Sequence, residues 1–201
     1  MPSEQKGRTA ATWPSLIPSA YSWEASLPVE GSKMLTIIQA QTPKHIQQFQ
    51  ELVAEYKAWD IEMSSKMGLS ANILLEFGYQ GRADDHLDEF APPNGRLLLA
   101  SLDGQVVGCA GLRPLSPGIG EMKRVYVRPA FRGKSLGRGL VEAVIAAARL
   151  IGYRKLRLET ATFMEGARAL YQSLGFDPIE PYREIPDVMK PLSVFMELNL
   201  K

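Results

Sequence analysis

The chain has 201 residues, 45% of them hydrophobic, and a formal net charge of +1, so its composition fits one globular domain with a sizeable core. Its single cysteine, Cys109, excludes an internal disulfide and is typical of a reducing compartment, which leads us to expect a cytoplasmic protein. Two histidines far apart in sequence, without cysteine partners, do not predict a metal site, and no apolar run is long enough to span a membrane.

The N-terminal part of the chain differs from the rest in its pattern. Residues 1–33 show neither helical nor alternating periodicity, and they lack the apolar run of a secretory signal. We therefore expect a mobile extension over residues 1–33 and a folded domain over residues 34–201.

The folded part of the sequence alternates between strand and helix patterns. Asp103-Gly104, a strong hairpin signal, joins two apolar strands, and a turn at Pro117-Gly118 leads to a third. This order predicts a mixed α/β or α+β sheet in which these three strands are antiparallel neighbours. The predicted strands cover residues 35–40, 96–102, 105–112, 121–127, 154–160 and 193–200, and the predicted helical regions begin near residues 42, 73, 84, 136 and 167.

A basic segment with two glycines separates the strand over residues 121–127 from a long amphipathic helix. Free N–H groups at a helix N-terminus bind anions, and glycine lets a phosphate approach the backbone. A P-loop needs a glycine where Arg128 stands, and the dinucleotide-binding pattern needs glycines where Glu142 or Lys123 stands, so neither fits. The sequence therefore predicts another kind of phosphate site, formed by Arg132, Gly133, Lys134, Ser135, Leu136, Gly137 and Arg138.

Charge is unevenly distributed along the chain. Residues 113–157 contain 11 Lys and Arg but only 2 acidic residues, although the whole chain carries +1. This basic region suits a phosphorylated cofactor, but a solvated basic face or a nucleic-acid patch has the same composition. The acidic residues within 51–90 leave a similar choice open between attraction of a cationic amine and a solvated helical face.

Two motifs together resemble the GNAT superfamily of N-acetyltransferases. The acyl-CoA signature of that family is Arg or Gln, two residues, Gly, one residue, Gly or Ala, and it is matched from Arg132 to Gly137 with Ser135 at the central glycine position. Downstream, the segment from Leu170 to Phe176 is similar to the family's closing helix and its Leu-Tyr, two residues, Leu-Gly-Phe ending. The resemblance covers roughly residues 35–200.

The resemblance implies a fold, a cosubstrate and a set of binding residues. The fold is a mixed, mostly antiparallel sheet of about six to seven strands with helices on both faces. The cosubstrate is acetyl-CoA, no metal is needed, and the acetyl group passes directly to an amine in a ternary complex. The residues expected to bind the cosubstrate are Val125, Tyr126, Val127, Arg132, Gly133, Lys134, Ser135, Leu136, Gly137 and Arg138.

Two residues are candidates for proton transfer. Glu121 is the candidate base, because regular alternation places it on the same face of its strand as Val125 and Val127, although a β-bulge would reverse that facing. Tyr171 matches the tyrosine whose hydroxyl protonates the departing thiolate in the family. The alternatives are an exposed glutamate at a strand end and an ordinary core tyrosine.

Three functions remain open at this point. The first is an N-acetyltransferase acting on an amine of a small molecule or peptide. The second is a non-catalytic acyl-CoA-binding regulator on the same fold, and the third is a basic nucleic-acid-binding module, which the lack of an aromatic-rich RNA motif disfavours. The final strand, residues 193–200, is expected to offer an edge on which two copies of the chain could form a homodimer.

Overall fold

A computed structural model describes residues 24–29, 33–79 and 87–200. Eight strands in these residues form one sheet in the order β1-β2-β3-β4-β5-β6-β8-β7. All neighbouring strands in this sheet are antiparallel except β5 and β6, which are parallel. The strands are β1 (Glu24–Val29), β2 (Lys33–Gln39), β3 (Arg96–Leu102), β4 (Gln105–Ser116), β5 (Ile119–Val127), β6 (Lys155–Ala161), β7 (Asp177–Ile179) and β8 (Ser193–Asn199).

Helices lie on both faces of the sheet. Helix α1 starts as the sequence predicts, because the Thr42 side chain accepts a hydrogen bond from the His45 N–H and Pro43 occupies the first turn. The helices are α1 (Pro43–Lys66), α2 (Ala71–Ile73), which continues as a π-helical turn (Leu74–Gly78), α3 (Leu136–Ile151) and α4 (Glu165–Ser173).

Two cores form because successive strand residues point to opposite faces of the sheet. On one face, α3 and α4 cover a large cluster that includes Leu98 and Ala100 of β3. On the other face, α1 covers a smaller cluster that includes Leu97 and Leu99 of the same strand. The candidate site described below lies where the two faces meet, between β5 and β6.

The predicted fold class is confirmed, and the predicted hairpin at Asp103-Gly104 joins β3 to β4 with Leu102 opposite Gln105. The sheet has one strand more than the expected upper limit, since Glu24–Val29 pairs with β2. That pairing contradicts the expected absence of regular structure over residues 24–29. A strand forms there without a clear alternating pattern because its backbone hydrogen-bonds to β2. Residues 1–23 and 30–32 of the expected extension lie outside the described residues.

The position of β8 differs from the expected edge. β8 pairs with β6 along all seven of its residues, and β7 covers its other side from Phe195 to Glu197. The short strand β7 was not predicted, and it follows Gly175, whose φ of 90° ends the α4 region in the left-handed conformation. The expectation that the last strand is an open edge along its length is therefore wrong.

Candidate active site

The parallel strands β5 and β6 separate partway along their length. Their pairing runs from Ile119 opposite Lys155 to Met122 opposite Leu158. Beyond that point β5 continues to Val127 and β6 continues to Ala161 without further pairing to each other. The two strands thus leave a wedge in the middle of the sheet, where backbone groups of β5 face open space rather than a neighbouring strand.

A β-bulge lies in β5 at the wedge. Cys109 is opposite Tyr126 and Gly111 is opposite Lys123, so two steps on β4 correspond to three steps on β5. Arg124 takes up the extra residue with a φ of 59°. Lys123 and Arg124 therefore lie on the same face of the sheet, toward α1.

The bulge places Glu121 on the opposite face of the sheet from Val125 and Val127. Val125 and Val127 pack toward α3, whereas Tyr126 belongs to the cluster under α1. Glu121 lies on the α1 side with Lys123, whose Nζ is 3.6 Å from the carboxylate. The expectation that Glu121 shares a face with Val125 and Val127 is therefore wrong, because one additional residue reverses the alternation.

Glu121 is buried and bonded at both oxygens. Its side chain is 1% exposed, and its Oε2 accepts a hydrogen bond from Nε of Arg113 at 2.7 Å. Its Oε1 accepts one from the Tyr182 hydroxyl at 2.8 Å. Burial alone would raise the pKa of this carboxyl, but Lys123, Arg113 and the hydrogen bonds outweigh it and lower the pKa below its ordinary value. These contacts make Glu121 an anchor between β4, β5 and the loop that carries Tyr182.

The turn between β5 and α3 has a backbone shape that fits a phosphate. Gly133 and Ser135 both adopt left-handed conformations, with φ of 79° and 59°. A Cβ built at Gly133 has nothing within 4 Å, and one built at Gly137 meets Leu170 at 3.8 Å, so the turn is open at both glycines. Ser135 makes no side-chain cap to α3, which leaves the N–H groups of the first helical turn to a ligand.

The basic side chains of this turn have different neighbours. Nε of Arg132 donates to the Val127 carbonyl at 3.0 Å, and its guanidinium lies 5.2 Å from the ring centre of Trp59. Arg138 donates to the Ser173 hydroxyl at 2.7 Å and so links α3 to α4. Lys134 is exposed beside the turn. Arg132 therefore braces the turn against α1, while Lys134 adds positive charge at its surface.

Tyr171 lies in α4 on the α3 side of the sheet. It is buried, and its ring centre is 5.8 Å from that of Phe176. Burial raises the pKa of Tyr171 well above its ordinary value, so the hydroxyl is protonated at neutral pH. Among the described residues, none forms a hydrogen bond with this hydroxyl.

Tyr56 of α1 packs against the cluster under α1, with its ring centre 5.9 Å from that of Tyr126. Burial raises the pKa of its hydroxyl well above the ordinary value, and the acidic groups of Asp60, Tyr171 and Glu159 raise it further.

A pocket opens on the α1 side of the wedge. Its walls come from α1, the π-helical turn, the bulge of β5, the end of β6 and the segment before β8. Both polar and apolar residues line it, among them Tyr56, Asp60, Leu69, Leu74, Tyr79, Glu89, Arg113, Lys123, Arg124, Glu159 and Met189.

Asp60 is a functional candidate that the sequence analysis missed. It is 7% exposed and accepts a hydrogen bond from the Tyr79 hydroxyl at 2.8 Å. Burial raises its pKa above the ordinary value, and hydrogen bonds from Tyr79 and Ser64 only partly offset this. Asp60 follows Tyr56 by four residues, so the two side chains lie on the same face of α1. A carboxylate on the buried face of a helix was the signal that the sequence offered.

Comparisons with known proteins agree with this geometry. The model of the acetyltransferase (GNAT) family matches residues 56–176. An uncharacterized N-acetyltransferase of Schizosaccharomyces pombe is 33% identical over 175 residues, which cover 83% of this chain and 95% of that protein. The IAA acetyltransferase of Azospirillum brasilense is 41% identical over 118 residues, covering 57% of this chain and 74% of that protein.

Solved structures with a similar fold also belong to acyltransferases of this kind. A structure from Klebsiella pneumoniae, described as an acyl-CoA N-acyltransferase, superposes with a TM-score of 0.59 at 29% identity and covers 91% of this chain and 100% of that chain. The chain therefore belongs to the GNAT family of acetyltransferases. It is an acetyl-CoA-dependent N-acetyltransferase, as the two motifs predicted.

Two further expectations concern metals and membranes. In the part of the chain that the structure describes, no group of three or more His, Cys, Asp or Glu residues is arranged to hold a metal ion. Over the same residues, no helix combines the length and the hydropathy needed to cross a bilayer.

We predict that Gly137→Glu abolishes acetyl-CoA binding while Gly137→Gln, of similar size, weakens it less. The added carboxylate would lie at the N-terminus of α3 and repel a phosphate there. The nearest atom to a Cβ at this position is 3.8 Å away, so both variants are expected to fold. Calorimetric titration with acetyl-CoA measures the affinity, and melting temperatures control for folding. Equal affinity in wild type and Gly137→Glu would contradict this placement of the phosphates.

We predict that Glu121→Gln lowers the free energy of unfolding at pH 7 by about 3 kcal/mol, because it leaves Arg113 and Lys123 without their buried anion. The folded-state pKa of Glu121 is lowered, so its stabilisation is present above the unfolded-state pKa and is lost as pH falls through the folded-state pKa.

Urea unfolding of wild type and variant between pH 7 and pH 3 measures this difference, which should narrow on acidification. Glu62→Gln removes a carboxylate from an exposed pair with Lys66 and should leave the free energy of unfolding almost unchanged. A similar small loss for both variants would show that Glu121 is not an anchor.

Proposed function

We propose that this enzyme transfers the acetyl group directly to an amine held in the pocket on the α1 side of the wedge. The observation that carries the proposal is the end of β5–β6 pairing at Met122 and Leu158, with the phosphate-type turn and the pocket both adjacent to the opening. Substrates that approach from the two faces of a sheet can meet only where the sheet is open. The acceptor is an amine of a small molecule or of a peptide end narrow enough for this pocket.

The bound acetyl-CoA supplies an activated acetyl thioester. Backbone groups of Val125, Tyr126 and Val127 border the wedge, and we assign them to the pantetheine arm. The turn formed by residues 132–137 and the N-terminus of α3 hold the pyrophosphate, with Lys134 and Arg138 beside it. These residues bind and orient the cosubstrate, and much of the rate acceleration comes from such positioning.

Direct transfer needs no nucleophile on the enzyme, and Cys109 has the surroundings of a structural cysteine. Its side chain is fully buried, and its thiol lies 3.4 Å from the Arg124 carbonyl oxygen, to which it donates. In the transfer, one N–C bond forms and one C–S bond breaks. One proton leaves the amine, and the Tyr171 hydroxyl donates one proton to the departing sulfur.

For the proton acceptor we propose Asp60 in place of Glu121. Asp60 lines the pocket, and its raised pKa brings it closer to neutral pH. Glu121 does not line the pocket, and both of its oxygens accept hydrogen bonds from protein groups. Asp60 accepts the amine proton directly or through one water, while Tyr79 and Ser64 hold its carboxylate in place.

We predict that Tyr171→Phe lowers kcat by about 100-fold, the contribution of a positioned general acid, while the Kd for acetyl-CoA changes less than about twofold. Release of free CoA thiol is measured with a panel of primary amines, and calorimetry gives the Kd. The matched control is Phe176→Leu, which alters the ring that packs on Tyr171 but removes no hydroxyl. An unchanged kcat in Tyr171→Phe would remove the acid role.

We predict that the fall of kcat at low pH, the acidic limb of the kcat–pH profile, results from protonation of Asp60. Below the pKa of the base the carboxyl is protonated and cannot accept the amine proton, so kcat falls as pH is lowered. Asp60→Asn should reduce kcat about 100-fold or more and remove this limb. Glu121→Gln, if it folds at the assay temperature, should retain the limb. A limb that vanishes in Glu121→Gln and persists in Asp60→Asn would assign the base to Glu121.

A further inference from the structure

Helix α1 holds the segment between β5 and α3 at two points. The Arg128 guanidinium donates hydrogen bonds to the Glu55 carboxylate at 2.7, 3.0 and 3.1 Å. Four residues farther along the segment, the Arg132 guanidinium lies 5.2 Å from the ring centre of Trp59. Glu55 and Trp59 are also four residues apart, so they lie on the same face of α1. The second contact therefore fixes the first residue of the turn formed by residues 132–137.

The side chain of Arg132 has further partners at the end of β5. Its Nε donates to the Val127 carbonyl at 3.0 Å, and its guanidinium lies 5.9 Å from the ring centre of Tyr126. Both ring distances are within cation–π range, and a planar, weakly hydrated guanidinium favours such contacts. Trp59, Tyr126 and Val127 thus hold the Arg132 side chain from three directions.

The backbone of Arg132 is fixed as well. Its N–H donates to the Pro129 carbonyl at 3.2 Å, at the end of a short 3₁₀ turn over Pro129–Phe131. The chain then adopts left-handed conformations at Gly133 and Ser135. A left-handed conformation costs free energy at Ser135, and it persists only where the surroundings enforce it. A fixed Arg132 limits the other conformations that this turn could adopt in the free enzyme.

The ring of Trp59 is itself held by packing. Its centre lies 6.4 Å from that of Tyr56 on α1 and 6.3 Å from that of Phe163. Phe163 follows β6, whereas Arg132 follows β5. Trp59 therefore packs between the chain segments that leave the two separated strands, and its position does not depend on the turn alone.

We propose that Trp59 is a positioning residue for acetyl-CoA. It holds the Arg132 guanidinium and so keeps the turn in the conformation that binds the pyrophosphate, without touching the cosubstrate itself. Arg132 accordingly acts by shaping the turn rather than as a phosphate ligand. Apparent affinity falls with the fraction of molecules that are competent to bind, so a preformed turn binds more tightly. This inference rests on the proposed function, since it uses the turn assigned there to the pyrophosphate.

The test is a double-mutant cycle in which calorimetric titration gives the Kd of acetyl-CoA. Trp59→Leu and Arg132→Gln should each weaken binding about tenfold, the effect of losing a partly desolvated cation–π contact. The double variant should bind no more weakly than Arg132→Gln alone, because both changes remove the same contact. A further tenfold loss in the double variant, or an unchanged Kd in either single variant, would overturn the proposal.

Two control variants separate this contact from general packing. Trp59→Phe keeps an aromatic face for Arg132 and should bind acetyl-CoA within about threefold of wild type. Glu55→Gln removes the other contact between α1 and the segment, and it should change the Kd less than about twofold, because that pair is half-exposed and Arg128 also donates to the Val106 carbonyl. A loss in either control as large as in Trp59→Leu would contradict the proposed role of Trp59.

The fluorescence of Trp59 reports the contact without any ligand. The chain has three tryptophans, and Trp13→Phe with Trp23→Phe leaves Trp59 as the only emitter. In this background Arg132→Gln should shift the emission of the free protein, because indole emission responds to a charge beside its ring. Lys134→Gln, which removes an exposed charge from the same turn, should not shift it. Equal emission with and without Arg132 would overturn the proposal.

The variant Gly137→Glu separates this inference from the proposed function. If Gly137→Glu binds acetyl-CoA as wild type does, the turn is not the pyrophosphate site and the assignment in the proposed function fails. Loss of binding in Gly137→Glu, with wild-type affinity in Trp59→Leu and Arg132→Gln, would reject this inference alone. Melting temperatures control for folding. If Trp59→Leu does not fold, the affinity of Arg132→Gln and the Trp59 emission in that variant decide.

Discussion

The site depends on the separation of β5 from β6 in the middle of the sheet. All seven residues of β6 pair with β8, whereas only its first four pair with β5. β5 in turn remains paired with β4 through Val127, and its bulge increases the local twist on that side. β5 thus stays paired with β4 and β6 with β8, and the weaker parallel pairing between β5 and β6 ends. The wedge therefore results from competition between strand partners.

Two residues beside this wedge adopt a backbone conformation that non-glycine residues rarely take. Arg124 and Ser135 both have a φ of 59°. Each costs roughly 1–2 kcal/mol relative to an ordinary conformation. Such strain persists only where the surroundings enforce it, and it tends to occur at functional sites. Here it places Arg124 beside Lys123 on the pocket wall and shapes the turn before α3, so the strained positions lie at the pocket and at the proposed phosphate turn.

Local signals predicted the parts of the candidate site that are continuous in sequence. The turn before α3 and the position of Tyr171 on a helix could be predicted because each motif occupies a few consecutive residues. The facing of Glu121 could not be predicted, since a single bulged residue reverses it and leaves no clear mark in a pattern of period two. Asp60 became a candidate only when packing placed it in the pocket with Tyr79. The position of β8 between β6 and β7 is a non-local pairing that strand patterns do not specify.

Ion pairs neutralise part of the charge carried by the basic region of the sequence. Arg128 pairs with Glu55 of α1, and Lys155 and Arg157 share Glu197 of β8. Acidic residues from distant parts of the chain thus neutralise much of the local excess. A nucleic-acid site would need a broad run of solvent-facing cations. On the proposed assignment, the turn before α3 binds the pyrophosphate mainly through its backbone N–H groups, whose directed dipoles favour a pyrophosphate over a generic polyanion.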